Sequence, residues 1–511
     1  MAILEFKLPK SIAKALNLPE NSPGRQQAKV LRKLLSKSKN TDFGKHFEFS
    51  EILKLKDCTA GFRTSVPAYD YNSLHRDWWH LALKGKEDVC WPGKIKYFAL
   101  SSGTSEAASK YIPITNELMK GNRIVMIKQL LSLRNYENIP FKSIGKGYLM
   151  LGGSTDLQKG PGYFAGDLSG ITAKKSPFWF SPFYKPGKRI AKTRDWNKKL
   201  EAIVEQAPNW DIGILVGVPA WIQMCIEMII KRYQLNHIHE IWPNLAFFCH
   251  GGVAFEPYKK GFEKFLGKPI TYIETYLASE GFLAYQDRQH PDGMKLVLNE
   301  HIFFEFVPFD DVNFDSDGNL NPQATSFLID EVTEEKDYAL LISTSAGAWR
   351  YLIGDTIRFV NKEKSEIIIT GRTKHFLNLV GEHLSVDNMN KAVQIASEKL
   401  NISIAEFTVA GIAVDKFFGH HWYIGTNDDV KEADLKTHID DALKELNDDY
   451  LVERKSALKD IIVDILPEKI FMEFMEKKGK LGGQHKFPRV IKGILHEEWK
   501  EFLKSNLTSK F

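Results

Sequence analysis

Cysteine is scarce in this sequence. Cys58, Cys90, Cys225 and Cys249 are scattered through 511 positions, with no C-x-x-C spacing and no histidine in zinc-ligand register. A disulfide framework and a ribbon-type zinc site are excluded, and a reducing, cytoplasmic setting is expected. No apolar stretch follows Met1, so a secretory leader is not expected either. Long hydrophobic runs are also lacking. The longest, Ile212 to Ile230, is interrupted by Pro219, Gln223 and Glu227, and predicts no membrane span. Its first half, IGILVGV, reads as a buried strand. Pro219 then opens a helix with Trp221, Cys225, Met228 and Ile229 on one face.

Charge of one sign is not in marked excess. Lys and Arg number 69 against 64 Asp and Glu, a net +5. The surplus sits at the ends, +7 over residues 1–40 and +4 over 471–511, with −6 between them. A nucleic-acid binder's continuous basic stripe is therefore missing, and neither nucleic acid nor membrane is expected as a partner. At 43% hydrophobic and 26% charged, the composition is that of a globular protein, not a low-complexity or disordered one.

Several signatures of common chemistries are missing as well. Asp42-Phe43-Gly44 and His75-Arg76-Asp77 imitate two kinase motifs in reversed order, and Ala82 stands where a metal-binding Asn is required. GPGYFAG (160–166) is not G-x-G-x-x-G, and no strand is expected closely before it. Neither a G-x-x-x-x-G-K-[ST] loop nor a G-x-S-x-G elbow occurs. His237, His239 and Glu240 read as a polar helix end. His420 and His421, adjacent on a strand, point to opposite faces and cannot chelate together.

The organisation that is present is regular. Residues 25–37 place Val30, Leu31, Leu34 and Leu35 at helical spacing, which predicts a surface helix docked by its Leu stripe. From about 94 to 345, apolar β-rich runs alternate with helical segments: YFALSS, YLMLGG, IGILVGV, LAFFCH, ITYIETY, HIFFEFVP and ALLIST. That alternation predicts an α/β fold with parallel or mixed sheets. Beyond 385 the rhythm becomes helix, strand, strand, helix, strand, helix, a small α+β unit. A large domain over 1–380 and a small one over 381–511 are expected, jointed near Asn378–Ser385. The aromatic run SPFWFSPFY (176–184) could line an apolar pocket or be ordinary core.

Four stretches carry candidate chemistry. Ser101-Ser102-Gly103-Thr104-Ser105 closes an apolar strand, with Lys110 following; its hydroxyls and N–H groups suit phosphate oxygens, or a plain solvated turn. In Thr275-Tyr276-Leu277-Ala278-Ser279-Glu280 an aromatic precedes a carboxylate by four. Trp349-Arg350-Tyr351-Leu352-Ile353-Gly354-Asp355 ends in a carboxylate able to accept two ribose hydroxyls, and Gly371-Arg372 follows. Gly482-Gly483-Gln484-His485-Lys486-Phe487-Pro488-Arg489 presents two cations late in the chain.

Their order resembles the acyl-adenylate-forming superfamily of acyl-CoA ligases, adenylation domains and firefly-type luciferases. Within it the chain is similar to the auxin-responsive family of acyl acid–amido synthetases. The stretches that carry this are SSGTS with Lys110-x-x-Pro113, ETYLASEG, FFEFVP, TSAGAWRYLIGD, GRTKHFLNLVGEHLS and GGQHKFPR, with TDFGKHFEF (41–49) after a Q-x-x-x-L-x-x-L helix. The resemblance implies ATP-dependent adenylation of a carboxylic acid, then acyl transfer to an amine such as an amino acid, by a monomer using Mg²⁺. Residues 101–105 would close over the triphosphate, Gly251 and Gly252 would lie against adenine, and Tyr276 would stack on it. Thr275 and Ser279 would touch the α-phosphate, Glu280 would hold Mg²⁺, and Asp355 would take the ribose hydroxyls. Arg372 and His383 would act near the joint, and Lys486 would swing in with the small domain. Thiol transfer, to coenzyme A or a carrier protein, and a non-catalytic nucleotide-binding role are the alternatives. The chain departs from the family pattern at Ala107 (usually Gly), His383 (Lys in plant members) and Leu352 (often Arg).

Overall fold

The computed structural model describes residues 22–507 apart from 102–109, 138, 253–254, 316–317, 375–376, 378, 380–381, 383, 415–416, 455–457 and 480–486. In chain order the first strands are β1 (Tyr97–Ser101), β2 (Lys110–Ile114), β3 (Gly147–Met150), β4 (Gln158–Gly160), β5 (Tyr163–Gly166) and β6 (Tyr184–Lys185). Then come β7 (Ile212–Gly217), β8 (Phe247–Gly251), β9 (Thr271–Ala278), β10 (Gly281–Tyr285), β11 (Met294–Leu296) and β12 (Ile302–Pro308). The last are β13 (Asp337–Thr344), β14 (Tyr351–Asn361), β15 (Glu366–Arg372), β16 (Glu406–Val414), β17 (Phe417–Gly425), β18 (Leu458–Leu466) and β19 (Val490–Ile491).

These form three sheets. A four-stranded sheet runs β2-β1-β5-β4, and an 11-stranded sheet runs β12-β13-β14-β15-β11-β10-β9-β8-β7-β3-β6. The large sheet is parallel from β6 through β9 and antiparallel from β9 through β12. IGILVGV supplies β7, and Pro219 occupies the first turn of the helix Pro219–Tyr233, where its missing N–H costs nothing. Ile222, Cys225, Ile226 and Ile229 of that helix pack with Leu200 and Ile203 on Leu149, Leu215 and Phe248 of the sheet. Each such burial removes a side chain from water at a gain of about 1.5–3 kcal/mol.

A third sheet, β18-β17-β16-β19, follows residue 400. Its side chains alternate with period two. Phe407, Val409, Trp422 and Ile424 pack toward the helices Val386–Leu400 and Glu432–Leu446. Ala410 and Tyr423 face Phe471, Phe474 and Trp499 of the helices Lys469–Lys477 and Gly493–Leu507.

The N-terminal helix Pro23–Ser38 docks by Val30, Leu31, Leu34 and Leu35, all buried, as its periodicity predicts. Buried Gln27 adds a polar lock. Its amide donates to the Leu298 and Ile302 carbonyls at 2.8 and 3.1 Å and accepts the Phe304 N–H at 2.7 Å.

Two expectations are corrected here. A strand does precede GPGYFAG closely, because β4 ends on Gly160 and pairs with β5 as a hairpin. The SPFWFSPFY run is not core at its centre: Phe178 and Trp179 are exposed on a short 3₁₀ turn, while Tyr184 at its end is buried. The four cysteines are all free thiols. Among the described residues, no helix is long and apolar enough to cross a membrane.

Candidate active site

The carboxyl ends of the parallel strands supply the first part of the site, as in other open α/β sheets. β8 ends on Gly251, paired in parallel with Thr275 of β9. A Cβ on Gly251 would fall 2.3 Å from the Thr275 carbonyl oxygen, so only glycine permits this approach. Gly252 follows at φ +86°, a left-handed conformation that glycine adopts without strain. The Thr275 hydroxyl donates to the His250 carbonyl at 2.8 Å, tying the two strand ends together. β9 and β10 are joined by the two-residue turn Ser279-Glu280, both members buried.

The second part comes from far along the sheet. Three strands separate β9 from β14, yet the sheet curls until Tyr276 reaches Asp355. The Tyr276 phenol donates to Asp355 Oδ2 at 2.6 Å, and Arg372 Nε lies 2.9 Å from Asp355 Oδ1. Asp355 and Arg372 are direct cross-strand partners in β14 and β15. Gly354, at φ +89°, turns the backbone immediately before the carboxylate. Burial and the Asp355 carboxylate push the Tyr276 phenol well up, while Asp355 holds the Arg372 guanidinium charged. A carboxylate has about four acceptor positions, so Asp355 keeps capacity for further hydroxyl donors.

Glu280 lies in the same electrostatic field. Burial raises its carboxyl to about 7, with Asp355 adding to the rise and Lys110 and Arg372 opposing it. The Tyr351 phenol is hydrogen-bonded to Glu280. Lys110, at the start of β2 in the four-stranded sheet, is pulled below the ordinary lysine range by burial, with Glu280 countering. Its ammonium also lies 5.4 Å from the Tyr71 ring centroid. Two sheets thus contribute charge to one place: a buried acid, a half-buried base, and the Asp355–Arg372 pair. A buried carboxylate whose ionisation is held back by desolvation and by a neighbouring carboxylate suits a hard, oxygen-seeking cation such as Mg²⁺, which completes its shell with water and phosphate oxygens. Among the described residues no cluster of three His, Cys, Asp or Glu side chains makes a protein-only metal cage.

Of the residues nominated from sequence, Gly251, Gly252, Thr275, Tyr276, Ser279, Glu280, Asp355 and Arg372 fall at these strand ends. Ser101 is the last residue of β1. Ser102, Gly103, Thr104, Ser105, His383 and Lys486 lie outside the described residues. His239 is an ordinary structural histidine, with Nε2 3.0 Å from the Leu245 carbonyl and Nδ1 accepting the Gly267 N–H at 3.1 Å.

Sequence reasoning missed the support beneath Asp355. Arg350 is buried at φ +41°, and its Nε and Nη2 meet the Glu305 carboxylate at 2.9–3.1 Å. Its Nη1 donates to the Val66 and Arg63 carbonyls at 2.7 and 2.9 Å. This pair fixes the entry to β14 and hence Tyr351 and Asp355. The signal was available, since a glutamate within FFEFVP requires a buried cation. Leu352 packs on Val307 and Leu341 beside a cavity of about 870 Å³ that Asp70, Arg350 and Lys374 also line. Past β15, Leu377 and Leu384 pair as an isolated bridge, and between them the Glu382 carboxylate accepts the Leu379 N–H. Glu382 also meets His420 of β17 at 3.0 Å, fully buried.

Comparison with known proteins gives the same picture. Family models match three segments: the GH3 family N-terminal domain over residues 13–204, the central domain over 295–368 and the C-terminal domain over 387–493. Jasmonoyl–L-amino acid synthetase JAR6 of Nicotiana attenuata is 21% identical, over 96% of this chain and 94% of its own length. Indole-3-acetic acid-amido synthetase GH3.4 of Arabidopsis thaliana is 22% identical, over 74% of this chain and 72% of its own. Among solved structures, GH3.15 acyl acid amido synthetase superposes with a TM-score of 0.76 at 16% identity, covering 97% of this chain and 96% of that one. A 2-hydroxyisobutyryl-CoA ligase in its postadenylation state superposes with a TM-score of 0.59 at 13% identity, over 96% of each chain. The family models together span most of the chain, and the fold agrees along nearly its whole length. This chain belongs to the GH3 family.

Proposed function

We propose that this protein is an ATP-dependent acyl acid–amido synthetase, which adenylates a carboxylic acid and then transfers the acyl group to an amine, an amino acid above all. The observation that carries this reading is the convergence of Tyr276, Asp355 and Arg372 with Glu280 and Lys110, from two sheets, in a chain of this family. In the first step a carboxylate oxygen of the acid attacks the α-phosphorus of ATP. The new acyl–phosphate bond forms as the bond to the β-phosphate oxygen breaks, and pyrophosphate leaves. The protein's part is positioning and charge neutralisation. Asp355 takes the ribose hydroxyls, Arg372 steadies ribose and phosphate, and Gly251 and Gly252 admit the adenine against bare backbone with Tyr276 beside it. Thr275 and Ser279 border the α-phosphate, and Lys110 and the 101–105 loop neutralise the outgoing charge. Mg²⁺ held by Glu280 would supply charge compensation for the triphosphate. In the second step the amine nitrogen attacks the acyl carbon. AMP departs with the carbon–oxygen bond electrons, and the nitrogen loses a proton.

Residues 381–511 are read as a small mobile domain that brings Lys486 to the α-phosphate, with His383 near the joint at 380. A cytoplasmic setting fits the free thiols. ATP–pyrophosphate exchange across a panel of carboxylic acids tests adenylation. Product mass with amino acids or coenzyme A then separates amide from thioester formation.

A further inference from the structure

The centre of the SPFWFSPFY run has no place in the reading above. Phe178 is 86% exposed and Trp179 54% exposed, side by side on the 3₁₀ turn Phe178–Phe180. Phe183 is also exposed, just before edge strand β6. Tyr148 of the neighbouring β3 joins this turn to another exposed aromatic. Its ring packs 5.3 Å from Phe180, and its hydroxyl donates to the Ile144 carbonyl, at the end of the helix Phe141–Ile144. That helix begins with Phe141, 67% exposed. Single exposed apolar residues are ordinary, but Phe178, Trp179 and Phe183 exposed together just before one edge strand are not, and Phe141 stands exposed on a helix packed over β7.

The charge of the segment that carries the turn is one-sided in sequence. Residues 174–194 contain seven Lys or Arg and no Asp or Glu. Arg194 is paired with Asp156, and Lys175 lies over the Tyr97 ring. Lys188, Arg189 and Lys192 are exposed, and among the described residues no ion pair engages them. The run stays acid-free over 21 residues in a chain whose Asp and Glu nearly balance its Lys and Arg. Exposed aromatics just before an edge strand and cations just after it, in one acid-free segment, are the chemistry that meets an anionic bilayer surface: rings settle at the headgroup level while ammonium and guanidinium groups meet lipid phosphates.

We propose that this edge, with Phe178 and Trp179 as its apolar anchor before β6 and Lys188, Arg189 and Lys192 as its cations after it, docks the protein peripherally on an anionic lipid bilayer. The inference is independent of the adenylation reading, because none of these residues belongs to the candidate active site. It departs from the expectation from composition that no membrane is a partner. Net charge near zero hides a local patch, and the aromatics read from sequence as core or pocket.

Flotation of the full chain with vesicles tests it. Phosphatidylcholine vesicles are compared with vesicles carrying roughly 30% phosphatidylserine, at low and at physiological salt. The expected result is binding to anionic vesicles only, weakened by salt. Binding should fall at least about tenfold in Phe178→Ala/Trp179→Ala and, separately, in Lys188→Glu/Arg189→Glu. All four positions are exposed, and unchanged thermal unfolding verifies that both variants fold. Three results would overturn the proposal: no flotation with anionic vesicles, equal flotation of wild type and both variants, or self-association through this patch with no vesicle binding.

Discussion

Tyr276 and Asp355 meet at 2.6 Å, phenol to carboxylate, across a sheet in which three strands lie between them. The contact closes the curl of the large sheet, and Arg372 holds the opposite carboxylate oxygen. Asp355 therefore arrives at the site already oriented from two sides, with its remaining lone pairs open to a ligand.

Removing the phenol alone tests that orientation. Tyr276→Phe keeps the ring and the Asp355–Arg372 pair but loses one charge-assisted hydrogen bond, worth about 1.5–3 kcal/mol. The KM for ATP in pyrophosphate exchange is expected to rise by roughly ten- to a hundredfold, with a smaller change in KM for the acid. Equal KM values in variant and wild type would mean that the phenol does not set the carboxylate.

The Arg350–Glu305 pair predicts a stability effect instead of a binding one. Either Glu305→Gln or Arg350→Met strands a buried partner, at a cost of about 3–5 kcal/mol in urea unfolding. Because replacing a whole buried pair with apolar residues of similar size is often nearly neutral, Arg350→Met/Glu305→Leu is expected to be more stable than either single variant.

His250 predicts a pH dependence. Burial lowers its imidazole to about 4, from an ordinary 6.5, and its ring stacks 4.5 Å from Phe255. The unfolded chain takes up a proton near 6.5 while the folded chain does not, so stability is lost as pH falls through the interval between them. His250→Phe keeps the stack and removes the titration. Relative to wild type, it is expected to gain roughly 3 kcal/mol between pH 7 and pH 4, read by urea unfolding at each pH.

Much of this architecture was legible in the sequence. IGILVGV followed by proline marks a strand that ends one residue early, at Gly217, and a helix that starts on Pro219 as expected, because a β-branched run and a Pro at the first helical turn leave little choice. The N-terminal Leu stripe and the helix–strand rhythm after 385 were equally plain. Gly251, Tyr276, Glu280, Asp355 and Arg372 are nominated by the family resemblance, which sets them around one nucleotide; the direct contact of the Tyr276 phenol with Asp355 is not legible, because it depends on how far the sheet curls. The Arg350–Glu305 pair and the Glu382–His420 contact were missed because each joins positions 38 to 45 residues apart, beyond local pattern. Reading the aromatic run 176–184 as core fails at Phe178 and Trp179 for a related reason: composition says what a segment is made of, not which side faces water.

The central claim is adenylation, and acid-dependent ATP–pyrophosphate exchange measures it most directly. The account predicts exchange that requires one carboxylic acid from a broad panel, falls at least about tenfold in Lys486→Ala, and leads to AMP and an amide when an amino acid is added. A folded protein that shows no exchange with any acid, or exchange that survives Lys486→Ala unchanged, would contradict it.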